Sequence, residues 1–249
     1  GIWKFHYAKN MGQAVDGFWE KNYNCDGWDD IHVPAHIQME GYDSPQYSNT
    51  QYPWDGREDV EPGEIPERFN PVASYVKYFE IPERMKGKEI RIAFAGVESG
   101  MALWLNGSYV GYSEDSFTPS DFNLTPYIKD GENKLAVQVF KWTSSSWCED
   151  QDFFRFSGIY REVYLYTIPK VHICDLKLKT ILDQDYKDAV LQLDLETNAD
   201  GKAEVCLSDD DVEMVMSVAL EEGHNHIEMP VKEPFLWSAE DPYLYDLTI

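Results

Sequence analysis

The densest group of reactive side chains is the run Glu149-Asp150-Gln151-Asp152-Phe153-Phe154-Arg155-Phe156-Ser157-Gly158-Ile159-Tyr160-Arg161. Carboxylates this close raise one another's cost of ionisation unless a cation or an arginine compensates. Their oxygens suit hard cations such as Na+, Mg2+ or Ca2+. Beside aromatic rings they also suit sugars: the rings cover apolar C–H faces while the oxygens take the hydroxyls. Internal pairing of Glu149 or Asp150 with Arg155 or Arg161 explains the same run, and composition alone favours it. A second group is Tyr47-Ser48-Asn49-Thr50-Gln51-Tyr52-Pro53. Asn and Gln amides donate and accept at once, as sugar hydroxyls require, although an Asn near a Pro is more commonly a turn stabiliser. His224 and His226 would face one side of a strand; with no carboxylate or thiol evidently placed beside them, they read as a surface pair rather than a metal site. No P-loop, dinucleotide fingerprint, G-x-S-x-G elbow or H-E-x-x-H motif occurs.

These side chains must be carried by strands and loops, because period-2 alternation dominates. Tyr75 to Ile81, Lys88 to Phe94, Met101 to Leu105, Tyr109 to Tyr112, Lys134 to Lys141 and Arg161 to Tyr166 read as short strands. Asn106-Gly107 between two of them is a type I′ hairpin signal, since both central residues must accept positive φ. Asp130 to Asn133 marks another turn. Residues 1 to 72 look different: rich in Trp, Pro, Gly and Asn, with few regular runs, the pattern of a long functional or packed loop region. After Pro169 a second series begins, with Val171 to Lys179, Ala189 to Thr197, Ala203 to Leu207, Val212 to Leu220, His226 to Met229 and Tyr243 to Ile249. The expectation is an all-β chain with a sandwich over residues 1–169 and an immunoglobulin-like sandwich over 170–249. The sequence stops at Ile249 inside an expected strand, which reads as a truncation.

The charge fits that division. The chain of 249 residues carries a net charge of −24, with 21 Lys+Arg against 45 Asp+Glu. From Lys170 onward there are 6 Lys and no Arg against 19 acidic residues, so about half of the excess sits on the last third. Such a surface disfavours nucleic acid and anionic membranes as partners. No apolar run approaches the roughly 20 residues that span a bilayer. Cys25, Cys148, Cys174 and Cys206 lie far apart, too sparse for a disulfide scaffold, and read as thiols in a reducing cytoplasm.

The stretch from Trp142 to Arg161 resembles the end of the sugar-binding domain of glycoside hydrolase family 2. Val33-Pro34, Gln38 to Asp43 and the Tyr-x-Asn-x-x-Tyr-Pro of residues 47 to 53 are similar to the same family. So are Phe94 to Ser99, Leu103 to Gly107, Val110 to Ser113, Gly131 to Val137 and Leu236 to Glu240. Asp-Phe-Phe followed by Gly-Ile-x-Arg also resembles β-glucuronidases, whereas Glu-Asp-Gln-Asp and the Tyr-x-Asn-x-x-Tyr-Pro loop point to β-galactosidases.

The resemblance implies a jelly-roll (galactose-binding-like) domain, an immunoglobulin-like domain, and a TIM barrel that carries two catalytic glutamates. No βα alternation occurs in this sequence, so the chain is expected to hold no catalytic residue and to be inactive alone. The resemblance implies that Asp152 contacts the galactosyl unit and a sodium ion, and that Asn49 contacts a galactosyl hydroxyl. Thr50 is implied beside it in the acceptor region, where the family more often has an apolar residue. Mg2+ is implied for the parent enzyme, not for this chain, and the parent is expected to be a homo-oligomer. A stand-alone carbohydrate-binding module and a structural two-sandwich protein are the rival readings.

Overall fold

The computed structural model describes residues 1–149, 152–209 and 213–249. The chain divides into two compact units, Gly1–Ile168 and Pro169–Ile249. Among the described residues the regular structure is strand, joined by loops and short 3-10 turns. None of their helices is long and apolar enough to cross a membrane.

The first unit begins with β1 (Ile2–Ala8), β2 (Asp29–His32) and β3 (Gln46–Ser48). It continues with β4 (Val72–Glu80), β5 (Glu89–Phe94), β6 (Val97–Glu98), β7 (Gly100–Leu105) and β8 (Ser108–Ser113). β9 (Ser120–Asn123), β10 (Glu132–Phe140), β11 (Phe153–Arg155), β12 (Gly158–Ile159) and β13 (Val163–Ile168) complete it. Six strands form one antiparallel sheet in the order β2-β1-β4-β10-β7-β8, and β13-β5-β9 form a second. Their inner side chains, among them Phe5, Tyr75, Phe94, Leu103, Leu105 and Val137, meet in one core, as the alternation in each strand requires. This is the jelly-roll sandwich expected from the sequence.

β4 and β10 are buried on both faces, which simple alternation does not predict. The loop between β1 and β2 is the cause: Phe18 and Cys25 cover Val76 and Ala136 on the outer face, with Trp19, Trp28 and Trp104 around them. Lys134, on that covered face, donates Nζ to the carbonyls of Glu20 at 2.7 Å and Tyr23 at 3.1 Å. The expected hairpin forms at Asn106-Gly107, with φ of 53° and 86° and Leu105 paired to Ser108. Asn133 closes the turn before β10 by donating Nδ2 to the carbonyls of Lys129 and Gly131.

The second unit contains β14 (Ile173–Leu182), β15 (Asp188–Thr197), β16 (Gly201–Ser208), β17 (Glu213–Leu220), β18 (Gly223–Lys232) and β19 (Asp246–Thr248). They form the sheets β14-β15-β18 and β17-β16-β19, the immunoglobulin-like sandwich expected here. Strict alternation on β15 sends Leu191, Leu193 and Leu195 into a core shared with Val205, Ile227 and Met229.

One expectation needs correcting. The first 72 residues are mostly loop, as expected, but they open with a seven-residue strand, Ile2–Ala8, which lies inside the larger sheet between β2 and β4.

Candidate functional site

Both groups singled out in the sequence meet on one short ribbon. β3 pairs antiparallel with β11 in the register Ser48↔Phe153, Tyr47↔Phe154 and Gln46↔Arg155. One step beyond Ser48↔Phe153, that register sets Asn49 opposite Asp152, although 103 positions separate them in the chain. Tyr47 completes the arrangement by donating its hydroxyl to Asp152 Oδ1. That hydrogen bond raises the Tyr47 phenol above its ordinary value, because the carboxylate favours the protonated donor, while the Asn49 side chain acts on the same phenol in the opposite sense.

Asn49 and Thr50 are exposed and line a depression of about 300 Å3 with other residues of 46–53, Asp55 and Arg57. Asp152 is exposed at its edge and is not among the lining residues. Tyr47 and Phe154 stand 5.6 Å apart, each more than half exposed. The ribbon therefore presents an amide, a carboxylate and two aromatic rings to solvent, the kinds of group that grip a sugar ring and its hydroxyls.

The ribbon is only three residues per strand, so its position depends on side chains below it. Lys141 Nζ pairs with Asp43 Oδ2 at 2.5 Å, and the two side chains are 1% and 4% exposed. Gln38 Nε2 donates to the same Asp43 oxygen at 3.0 Å and to Ser157 Oγ at 2.9 Å. Asp43 thereby anchors the entry to β3, while Lys141 anchors the segment leading toward Asp152. Asp43 has a φ of 54°, a left-handed conformation that Asp and Asn accept more readily than most residues. Burial pulls Lys141 below its ordinary value, opposed by the Asp43 carboxylate.

Beyond the ribbon the loop is clamped by rings. Tyr52 stacks on Trp54 at 5.4 Å with planes 2° apart, and Trp147 stands 4.5 Å from Tyr52 and 4.9 Å from Trp54. Trp147 Nε1 donates to the Glu64 carbonyl at 2.6 Å. Asn70 ties the other side, exchanging two 2.9 Å hydrogen bonds with the Trp142 backbone.

The structure also reorders the charged run. Asp150 and Gln151 lie outside the described residues. Glu149 accepts from Ser116 Oγ at 3.0 Å, and burial pushes its carboxyl up, with Arg155 opposing. Arg155 is 2% exposed with its guanidinium over the Phe153 ring at 4.5 Å. Arg161 donates to the Phe117 carbonyl at 2.8 Å. On the second unit, His224 and His226 are exposed as expected, but a carboxylate does face them: His226 Nδ1 lies 2.6 Å and His224 Nε2 3.8 Å from Asp194 Oδ1.

Among the described residues, no three His, Cys, Asp or Glu side chains come together as a metal centre. Asp152 does offer a hard oxygen donor at the surface, so it fits a share in a cation site whose other ligands come from elsewhere. Sequence reasoning missed the bridging role of Tyr47, the exposed ring of Phe154, and the buried Asp43–Lys141 pair. Tyr47 lay inside a quoted motif, but only the strand register shows what its hydroxyl reaches.

Residues 1–169 match glycosyl hydrolases family 2, sugar binding domain, and residues 171–249 match glycosyl hydrolases family 2. A β-galactosidase of Halalkalibacterium halodurans is 49% identical over 253 residues, covering 99% of this chain and 25% of that protein. One of Clostridium acetobutylicum is 44% identical over 265 residues, covering 100% of this chain and 28% of that protein. Bacteroides uniformis β-glucuronidase has a similar structure, with a TM-score of 0.69 at 23% identity, over 98% of this chain and 29% of that one. A likeness at that identity speaks to the fold alone. The chain spans about a quarter of the length of the β-galactosidases it matches.

Proposed function

The chain belongs to glycosyl hydrolases family 2, and from that premise we propose that it is the non-catalytic N-terminal part of a retaining β-galactosidase, lending substrate-binding residues to a TIM-barrel active site outside this chain. The observation that carries the reading is the register of β3 on β11, which sets Asn49 opposite Asp152 at the surface. In this reading Asn49 and Asp152 take hydroxyls of a terminal β-D-galactosyl unit, and Thr50 borders the acceptor. Tyr47 holds the Asp152 carboxylate in one orientation, so part of the entropy of fixing it is lost before substrate arrives. The exposed Tyr47 and Phe154 rings flank the same position and limit water on one side of it.

Asp152 would also be this chain's ligand to a sodium ion shared with groups from outside it, and no residue here is assigned to Mg2+. When bound, the sodium ion supplies a fixed positive charge for a substrate oxygen. A retaining glycosidase needs two carboxyl groups about 5–5.5 Å apart, one as nucleophile and one as acid/base. The reading assigns both to the barrel, and holds this chain inactive by itself. It further places the protein in a reducing cytoplasm, supported by four unbridged cysteines, and within a homo-oligomer.

The test is to express the complete reading frame that encodes this chain and assay β-galactosides against β-glucuronides. The expected result is preferential galactoside hydrolysis that falls by about 10²–10³ in kcat/KM for Asp152→Ala, the size of a preorganised transition-state contact. Turnover of glucuronides but not galactosides, or an unchanged Asp152→Ala variant, overturns the proposal.

A further inference from the structure

The depression beside Asn49 reaches further along the loop than the proposed galactosyl contacts use. Asn49 belongs to both: it stands opposite Asp152 in the register of β3 on β11, and it lines the depression, which Asp152 does not. From Asn49 the lining continues through Thr50, Gln51 and Tyr52 to Asp55 and Arg57. Its volume of about 300 Å3 is at the lower end of small-ligand sites, which run from roughly 300 to 1,000 Å3. That is room for a single further ring next to the galactosyl position.

The backbone of this depression is set before any ligand arrives. Tyr52 to Glu58 form a closed turn: the Tyr52 carbonyl accepts from the Asp55 N–H at 3.0 Å, and the Trp54 carbonyl from the Arg57 and Glu58 N–H groups at 3.0 and 3.1 Å. Asp55 Oδ2 accepts from the Tyr52 N–H at 3.0 Å, and Gln46 Nε2 donates to the Pro53 carbonyl at 2.6 Å. Trp54, 3% exposed, roots the turn in the first unit. The rim differs. Thr50, Gln51 and Arg57 are exposed, and among the described residues their side chains make no hydrogen bond or ion pair. The neighbouring carboxylates are engaged elsewhere, Asp55 on Tyr52 and Glu58 on the N–H groups of Glu67 and Arg68. Lys141, on which Arg57 acts as a like charge, is paired with Asp43.

Such a rim selects a chemical class. The guanidinium is a rigid fork of N–H donors, the Gln51 amide and the Thr50 hydroxyl donate and accept, and Asp55 accepts. One Arg and one Asp leave the lining without net charge, on a chain whose net charge is −24, so an anion gains little there. The half-buried Tyr52 ring adds apolar surface. Donors and acceptors in balance beside an aromatic ring suit a neutral sugar, whose adjacent hydroxyls can accept from both arms of one guanidinium.

We propose that Arg57 is a specificity-determining residue: with Gln51 and Asp55 it forms a subsite for a neutral sugar as the leaving group of the galactoside. A ring joined to a galactosyl unit at Asn49 and Asp152 lies along Thr50 and Gln51 and presents adjacent hydroxyls to Arg57. The role in catalysis rests on the galactosidase reading; the affinity of the depression for a neutral sugar does not.

Two measurements separate these. In the complete reading frame, kcat/KM is measured for a β-galactosyl-glucose disaccharide and for a nitrophenyl β-galactoside. The expected result is that Arg57→Ala lowers the ratio of the first to the second about tenfold, the size of one charge-assisted hydrogen bond, chiefly through KM for the disaccharide. Arg57→Lys keeps the charge without the fork and recovers less than half of that loss; full recovery overturns the forked contact. A residue that only shapes the loop lowers both substrates together, so an unchanged ratio overturns the proposal. If the complete protein hydrolyses no galactoside, the proposed function falls and NMR of the 15N-labelled 249-residue chain judges the subsite. There, methyl β-glucoside is expected to shift the Gln51 side-chain amide and Arg57 Nε signals saturably, and the Gln51 shift is expected to vanish in Arg57→Ala. Unmoved signals, or larger shifts with inorganic phosphate at equal concentration, overturn the neutral-sugar subsite.

Discussion

The Asp43–Lys141 pair carries a sharp thermodynamic expectation. Both side chains are almost wholly buried and their charged atoms are 2.5 Å apart. Gln38 adds a further hydrogen bond, at 3.0 Å on the same carboxylate oxygen. The Lys141 ammonium also lies 5.2 Å from the centroid of the Trp142 ring. Removing one member strands the other as a buried charge, which costs about 3–5 kcal/mol. Removing both costs much less, because desolvation of two ions is no longer required. Asn is the replacement of choice at position 43, since it tolerates the positive φ there, and Met fills the Lys141 channel. Asp43→Asn and Lys141→Met are each expected to lower unfolding free energy by about 3 kcal/mol or more, and the double variant by about 1–2 kcal/mol. The pairwise coupling is then about 4 kcal/mol. The loss in Asp43→Asn shrinks at alkaline pH. Burial pulls Lys141 below its ordinary value, so once that stranded lysine loses its proton in the folded chain, stability rises with pH. Urea unfolding followed by tryptophan fluorescence is the assay, because seven of the eight tryptophans lie in the first unit. A double variant that loses the sum of the two single losses, with coupling under about 0.5 kcal/mol, refutes the reasoning.

Three other expectations follow from named contacts. Glu98→Gln should stabilise the chain at pH 8 and change little at pH 5: a carboxyl raised from 4.5 to about 7 makes wild-type stability fall as pH rises through that window. Urea titrations at both pH values read the difference, about 3 kcal/mol at most. Tyr47→Phe in the complete reading frame should lower kcat/KM for galactosides several-fold while leaving the unfolding midpoint in place, since the ring is exposed and only the hydroxyl on Asp152 is lost. Gly158→Ala should destabilise by about 2–4 kcal/mol in thermal unfolding, because φ is +120° and an added Cβ would stand 3.0 Å from the Ala35 carbonyl oxygen.

Much of the fold is legible because local pattern and final environment agree. β15 alternates in sequence and lies with one face on a core, and Asn106-Gly107 adopts the positive φ values its hairpin needs. Trp3, Phe5 and Tyr7 alternate with Lys4 and His6 as well, so β1 was there to be read; the Pro, Gly and Asn that follow it obscured one regular strand. The outer burial of β4 and β10 was not there to be read, because Phe18 and Cys25 reach them from a loop with no periodicity of its own. The candidate site is the hardest case. Asn49 and Asp152 are brought together by a pairing across more than a hundred residues, and Asp43 and Lys141 by one across 98. No local propensity encodes such distances.

That difficulty has a physical origin. A ribbon of three residues per strand makes too few ladder hydrogen bonds to define its own position. Apolar packing alone would hold it loosely, since such contacts are non-directional. The chain instead uses directional groups below it: an ion pair, a bridging glutamine, the Tyr52–Trp54 stack edged by Trp147, and a buried glutamate. Each is costly to bury and tolerable only in one arrangement. A cluster in which breaking an ion pair from one side costs more than removing the pair together, and in which neutralising Glu98 adds stability, is serving geometry rather than stability. The double-variant cycle at Asp43 and Lys141 and the pH-dependent gain from Glu98→Gln measure that trade at two coupled points of the same support. If both appear, the strain under the ribbon is the means by which the Asp152 carboxylate is held in place.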